Sequence, residues 1–139
     1  AYVVRTDLAR RVGGFDPSLR TCEDWDFWQR VARTGARRAF IPQELAFYRM
    51  RRGSQSSQVE QLMRDARTVL ERGRGPDARL ADPAPRYADG APDLDAGQAL
   101  ASIGLWCAAL THSSGGQWRR ALDLAGDLSS AADLTYLGG

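Results

Sequence analysis

Thr21-Cys22-Glu23-Asp24-Trp25-Asp26-Phe27-Trp28-Gln29-Arg30 places three carboxylates and two tryptophans at the predicted start of one helix, just after the glycine-rich run 12–16. Acidic side chains are common in first turns because they interact favourably with the exposed backbone amides. The spacing Thr21-x-x-Asp24 also fits a capping box. Capping does not explain the tryptophans, whose rings can form the walls of a pocket that partly desolvates a carboxylate.

Several short motifs extend this stretch in both directions. Gly13-Gly14-Phe15-Asp16 precedes it, and Ile41-Pro42, Tyr48-Arg49 and Ser54-x-Ser56 follow it. In this order and spacing, residues 1–57 resemble the C-terminal half of a family 2 glycosyltransferase. The resemblance implies an α+β, mostly helical chain: part of a GT-A glycosyltransferase domain without its N-terminal nucleotide-binding half, followed by a helical hairpin.

The resemblance also implies roles for individual residues. Asp24 matches the general base of an inverting transfer, in which a sugar passes from a nucleotide-sugar donor to a saccharide or other hydroxyl acceptor. Glu23 and Asp26 are then acceptor-binding or structural residues. Trp25 and Trp28 offer surfaces on which a sugar can stack, although core packing explains Trp28 equally well.

Two arginines complete the substrate-binding set that the resemblance implies. Arg49 follows Tyr48, and Arg51 stands where many relatives have a histidine near the donor diphosphate. Arginine does not ligate a metal cation, but it can neutralise a leaving phosphate through charge-assisted hydrogen bonds. Simple solvation at the surface is an equally good explanation of Arg51.

No metal site is predicted within the chain. Asp24-x-Asp26 and Asp93-x-Asp95 both spell the Asp-x-Asp metal motif of these enzymes, but both open predicted helices, where capping explains them. Magnesium or manganese is expected only in the intact enzyme, bound by the donor half that this sequence lacks. The resemblance therefore implies a fragment that is inactive alone.

Hydrophobic periodicity divides the chain into three segments. Residues 1–72 contain a short strand at 1–4, helices at 6–12, 23–34 and 58–72, and two strands at 39–41 and 45–49. Residues 73–95 are rich in proline and glycine and predict a linker or an ordered surface loop. Residues 96–139 predict a helical hairpin that weakly resembles a tetratricopeptide repeat.

Composition excludes several classes of function. The 139 residues are 43% hydrophobic and 26% charged, which is typical of a soluble globular protein, and we expect a cytoplasmic location because no signal peptide is evident. The absence of lysine excludes Schiff-base chemistry and a Walker-type phosphate loop. Cys22 and Cys107 are predicted to be reduced, buried thiols.

The charge is unevenly distributed. Residues 1–79 hold 16 arginines against 10 acids, a net +6, and residues 80–139 hold 3 against 7, a net −4. The first part could face a diphosphate or the anionic surface of a membrane. A nucleic-acid role is disfavoured, because the arginines are scattered and no helix-turn-helix or finger pattern accompanies them.

A noncatalytic alternative stays open. Residues 58–139 could form a helical protein-interaction module for which the earlier part is a scaffold, and an exposed patch around Trp106 or Trp118 would favour it. A cleft with Asp24 at its floor would favour the enzyme. The truncated sheet that the resemblance implies would expose an edge, which predicts either a homo-oligomer or covering of that edge by the C-terminal helices.

Overall fold

A computed structural model describes residues 2–47, 58–113, 118–124 and 126. Four α-helices have defined bounds: α1 at Thr6–Arg11, α2 at Glu23–Arg33, α3 at Val59–Arg74 and α4 at Ala96–Ser113. A short 3-10 helix spans Pro85–Tyr87, and residues 118–124 are helical. Within these described ranges no residue belongs to a β-strand.

The predicted α+β fold with a partial GT-A sheet is therefore wrong for the described part of the chain. Residues 2–4, 39–41 and 45–47, where strands were expected, belong to no helix or strand, and the remaining predicted strand positions, 1 and 48–49, lie outside the described residues. Phe40 is 86% exposed and Phe47 is fully exposed. A strand is stable only when neighbouring strands accept its backbone hydrogen bonds and cover its apolar side chains. The composition of residues 39–47 indicated β propensity, but propensity does not supply a pairing partner.

The helices agree with the periodicity of the sequence. Helix α1 ends where Gly13 and Gly14 adopt positive φ angles of 81° and 67°, and α2 is followed by Gly35 at 76°. Glycine takes this left-handed conformation at little cost, so it ends a helix sharply. Helix α3 continues two residues beyond the predicted end at 72.

Two hydrophobic clusters hold the helices together. The first core cluster lies mainly between α3 and α4, and the second core cluster lies between α1 and α2. The first consists of Val59, Leu62, Met63, Ala66, Leu70, Leu100, Cys107, Ala108 and Ala121, and the second of Val12, Phe27 and Val31. Cys107 is buried as predicted, whereas Cys22 is only half-buried, and neither cysteine forms a disulfide.

Apart from the short 3-10 helix, residues 75–95 belong to no helix or strand, and they are hydrogen-bonded to α2 and α3. The Ala84 amide donates to the Arg33 carbonyl at 2.8 Å, and the Ala91 amide donates to the Gly73 carbonyl at 2.9 Å. Arg33 Nη2 donates to the carbonyls of Gly73 and Gly75, both at 2.8 Å. One α2 arginine thus satisfies carbonyls at the end of α3, where a helix has no internal donors.

Candidate functional site

The turn that leads into α2 is held by α3. Cys22 is the N-cap of α2 and has a φ of 58°, and its side chain makes no capping bond. The Thr21 hydroxyl, which the capping box assigned to the α2 backbone, donates instead to Asp65 Oδ2 at 2.8 Å. The expected Thr21-x-x-Asp24 box is thus not formed, because a buried carboxylate on another helix takes its hydroxyl.

Asp24 lies in the first turn of α2 and is exposed. Its Oδ1 accepts the backbone N–H of Trp25 at 2.7 Å. Accepting a first-turn amide fixes a side chain without neutralising its charge, so the carboxylate keeps lone pairs directed at solvent. It can therefore accept a proton from a hydroxyl group that approaches from outside.

Asp26, two residues further on, is sealed in the protein interior at 1% exposure. Its Oδ2 accepts Arg30 Nη2 at 2.9 Å and Nε at 3.1 Å. Its Oδ1 accepts Arg79 Nη2 at 2.9 Å and Arg72 Nη1 at 3.2 Å. Both carboxylate oxygens are saturated by guanidinium groups, which leaves no position for a substrate or a metal ion.

The arginines around Asp26 bind two further aspartates. Arg72 Nη1 lies 2.9 Å and Arg79 Nη1 3.1 Å from Asp16 Oδ2, and Arg79 Nη2 lies 2.7 Å from Asp77 Oδ2. The ion-pair cluster therefore has three positive and three negative members, listed here as Asp16, Asp26, Asp77, Arg30, Arg72 and Arg79. Balanced charges with multiple hydrogen bonds make burial of ions tolerable, and the cluster ties α2 and α3 to two loops.

The cluster keeps its acids ionised. Burial by itself would raise the pKa of Asp26, but hydrogen bonds and charge from Arg79 and Arg30 outweigh it and lower that pKa. The pKa of Asp77 is lowered in the same way, mainly by Arg79 against the effect of burial. The hydroxyl and amide of Ser18, with Arg72, lower the pKa of Asp16 to about 2. The arrangement is that of a structural ionic centre, not of an acid that exchanges protons near neutral pH.

The other predicted site residues on α2 are divided between two environments. Glu23 is half-buried. Trp25 packs against the first core cluster, whereas Trp28 packs in the second, with its ring 5.1 Å from that of Tyr2 and 5.0 Å from that of Phe27. The two tryptophans contribute to different cores and do not share one wall beside Asp24. Arg49 and Arg51 lie outside the described residues.

The metal that the resemblance implies does not fit the residues at this site. Asp26 offers no free oxygen to complete Asp24-x-Asp26 as a ligand pair, since guanidinium groups occupy it. In the ranges that the structure describes, no group of three or more His, Cys, Asp or Glu side chains is placed to hold a metal ion.

Only part of the ion-pair cluster could be predicted from the sequence. Asp26 and Arg30 are four residues apart on a predicted helix, which is the spacing of a helical ion pair. Arg72, Arg79 and Asp16 are 46, 53 and 10 positions away from Asp26, so only tertiary folding could bring them together. Asp65 was missed as well, because an acid on an apolar helix face gives no sign of which backbone amides it will meet.

Comparison with protein-family models, with curated proteins and with solved structures found no match to this chain. Among the helices of the described residues, none combines the length and the apolar character needed to cross a bilayer.

Proposed function

We propose that this chain supplies the general-base part of an inverting glycosyltransferase, with Asp24 as the base. The observation that carries the proposal is the contrast at the start of α2, where Asp24 is exposed and Asp26 is saturated by arginines. The ordered motifs from Gly13 to Ser56 point to the same class of reaction. The cytoplasm, where nucleotide sugars are available as donors, is the compartment that we propose.

In the proposed reaction, Asp24 removes the proton of the acceptor hydroxyl while that oxygen attacks the anomeric carbon of the donor sugar. The bond from the anomeric carbon to the diphosphate breaks on the opposite face, and the nucleoside diphosphate leaves with the electron pair. Such a base needs a fixed position and an open approach. Attachment of Asp24 to the Trp25 amide supports the first, and its exposure supports the second.

A second feature supports the assignment of this chain to a larger enzyme. Phe40, Ile41, Leu45 and Phe47 are large apolar side chains in one short segment, and all are exposed. Large exposed apolar side chains grouped in one segment are typical of a contact with another protein surface. We propose that the donor-binding part of the enzyme covers this segment and carries the magnesium or manganese ion.

The test is sugar transfer by the full-length protein that contains this chain. Asp24→Asn removes the proton acceptor while keeping the shape of the side chain, so turnover should fall by about 10²- to 10⁴-fold with donor binding unchanged. Asp7→Asn is the matched control, because Asp7 is also an exposed acid in the first turn of a helix. Transfer at the wild-type rate by Asp24→Asn would remove Asp24 from the base role.

A specific observation favours a second candidate, a helical protein-interaction module. Leu105 is 61% and Trp106 is 49% exposed on α4, a helix that contains no Asp, Glu, Lys or Arg. The partner that fits this surface is an amphipathic helix with an uncharged apolar face. A synthetic Leu/Ala-faced helical peptide should then change the tryptophan fluorescence of the protein, and Trp106→Gln should abolish the binding. Equal binding by Trp106→Gln and by the control Arg119→Gln would exclude this surface.

A further inference from the structure

Asp65 is a buried carboxylate that the proposed reaction does not use directly. It lies on α3 at 6% exposure. Its Oδ2 accepts three donors: the Thr21 amide at 2.9 Å, the Thr21 hydroxyl at 2.8 Å and the Arg20 amide at 3.2 Å. Its Oδ1 accepts Gln61 Nε2 at 2.9 Å. A buried carboxylate is tolerated only when its oxygens are well supplied with donors, and here most of the donors belong to the turn before α2.

The turn that Asp65 holds has a strained backbone. Cys22 follows Thr21 directly and is the one residue other than glycine with a positive φ in the described ranges. A side chain at Cβ disfavours this left-handed conformation, so it persists only where the surroundings enforce it. The two amides and the hydroxyl bound to Asp65 lie immediately before Cys22 and supply that constraint.

Asp24 lies between residues that are anchored to α3. Cys22 and Trp25 both pack against the first core cluster, whose largest share comes from α3. The Asp26 amide donates to the Cys22 carbonyl at 3.0 Å and begins the hydrogen bonding of α2. The direction in which the exposed Asp24 carboxylate points is therefore set by how residues 20–22 are seated on α3.

We infer that Asp65 is a positioning residue for the proposed base: by holding residues 20–22 in their strained turn, it fixes the direction of the Asp24 carboxylate toward the acceptor hydroxyl. The inference rests on the proposed function. A general base that is misplaced by about 1 Å can lose about 10²-fold in rate, so a distant residue that fixes its backbone affects turnover strongly. Substrate binding, which depends on other groups, should change little.

The first experiment measures how accessible the turn is to a thiol reagent and needs no assay of sugar transfer. Cys22 reports on the turn, because burial raises the pKa of its thiol to about 12, and Cys107 inside the first core cluster is the internal reference. In Asp65→Asn, alkylation of Cys22 by iodoacetamide should accelerate by about tenfold or more while Cys107 stays protected, since local opening exposes the thiol. Loss of the Asp65 charge, which helps to raise the pKa of the Cys22 thiol, adds to this acceleration, whereas Thr21→Val keeps that charge and reports on the turn alone. An unchanged Cys22 rate, or equal acceleration of both thiols, would overturn the inference.

A less disruptive variant provides the same test if Asp65→Asn unfolds the whole protein. Thr21→Val deletes the hydroxyl donor but leaves both backbone amides on Asp65. Cys22 alkylation should rise by a smaller factor than in Asp65→Asn, with the reactivity of Cys107 unchanged. If Asp65→Asn does not fold, the test rests on Thr21→Val. A wild-type rate of Cys22 alkylation in Thr21→Val would then contradict the role of Asp65.

The second experiment measures sugar transfer by the full-length protein. Asp65→Asn should lower kcat by about 10- to 100-fold with the KM values of both substrates nearly unchanged, because only the base is displaced. Glu71→Gln is the control, since Glu71 is an exposed acid on the same helix. If Asp65→Asn has a wild-type kcat while Asp24→Asn is inactive, Asp65 is not a positioning residue, but Asp24 remains the proposed base. An active Asp24→Asn would end the proposed function itself.

Discussion

Asp24 and Asp26 lie in the same helical turn and have opposite environments. Two residues along an α-helix rotate a side chain by about 200°, so neighbours at this spacing face opposite sides. Asp24 faces solvent and bonds its neighbouring amide, whereas Asp26 faces the interior and binds Arg30, Arg72 and Arg79. Asp24 is open to solvent and Asp26 is held in the ion-pair cluster, although the motif presents them as a pair.

The buried charge of Asp26 and the exposed charge of Asp24 are stabilised by different means. Removal of a carboxylate from water is costly, and the cost is offset only when several donors replace the lost solvent. Asp26 receives five hydrogen bonds from three guanidinium groups that come from α2, α3 and the following loop. Asp24 needs no such shell because water solvates it. Substitutions should therefore affect stability at Asp26 and activity at Asp24.

The largest effect on stability is expected for Asp26→Asn. The amide has nearly the same shape but no charge, so Arg30, Arg72 and Arg79 lose a shared counter-ion in a buried site. Loss of one partner from a buried ion pair typically costs about 3–5 kcal/mol. Urea unfolding followed by circular dichroism measures the change in the free energy of unfolding.

Asp24→Asn is the matched control for this measurement, two residues away. It makes the same chemical change at an exposed position and should alter the free energy of unfolding by less than about 0.5 kcal/mol. Equal destabilisation by the two variants would mean that Asp24 and Asp26 do not differ in burial and in pairing with arginines.

A smaller effect is expected from the arginines, and it should differ between them. Arg30 is buried and donates to the carbonyls of Val12 and Gly14 as well as to Asp26, so Arg30→Met leaves two carbonyls unpaired. We expect a loss of about 2–3 kcal/mol for Arg30→Met, because hydrogen bonds from charged groups are the stronger ones. Arg79 is partly solvated, and Arg79→Met should cost about 1 kcal/mol.

Thermal unfolding of both arginine variants tests this order. Methionine replaces the long aliphatic part of each side chain, so the comparison isolates the guanidinium group. A greater loss in Arg79→Met than in Arg30→Met would show that the loop, and not the helix, provides the main support of Asp26.

The helices could be predicted from the sequence because their signals are local. Apolar residues at three- and four-residue steps gave α3, and Gly13, Gly14 and Gly35 marked the ends of α1 and α2 correctly. The GT-A sheet predicted from the resemblance is wrong for the described residues, which contain no strand. Residues 39–47 have the composition of strands, yet strand formation depends on partners distant in sequence, which composition does not reveal.

The candidate site was predictable only in part. The position of Asp24 at the start of α2 follows from the motif and from helix periodicity. The saturation of Asp26 does not, because Arg72 and Arg79 approach it from α3 and the following loop. The role of Asp65 could not be predicted for the same reason, since its main partners, Arg20 and Thr21, are more than 40 positions away. Side-chain chemistry is local in sequence, but the hydrogen-bond partners that give it a role are not.

The smallest effect is expected at acidic pH, where the free energy of unfolding falls as aspartates become protonated. Hydrogen bonds from the Ser18 hydroxyl and amide, opposed by burial and aided by Arg72, lower the pKa of Asp16 to about 2, whereas an unfolded aspartate titrates near 3.9. A folded-state pKa below the unfolded value means that the stabilisation is complete above about pH 4 and is lost as the pH falls toward about 2. Because solvent screens this group, Asp16→Asn should remove less than about 1 kcal/mol of the pH-dependent stability in that window.

Urea unfolding of the wild type and of Asp16→Asn at several pH values between about 2 and 5 measures this difference. Both proteins should lose stability on acidification, since the pKa values of Asp26 and Asp77 are lowered too, but the variant should lose less. Ser18→Ala, which deletes the hydroxyl donor at 2.7 Å and keeps the carboxylate, should lie between them. Parallel curves for all three proteins would mean that Asp16 does not share the ionised state of Asp26, and the ion-pair cluster would then be smaller than its geometry indicates.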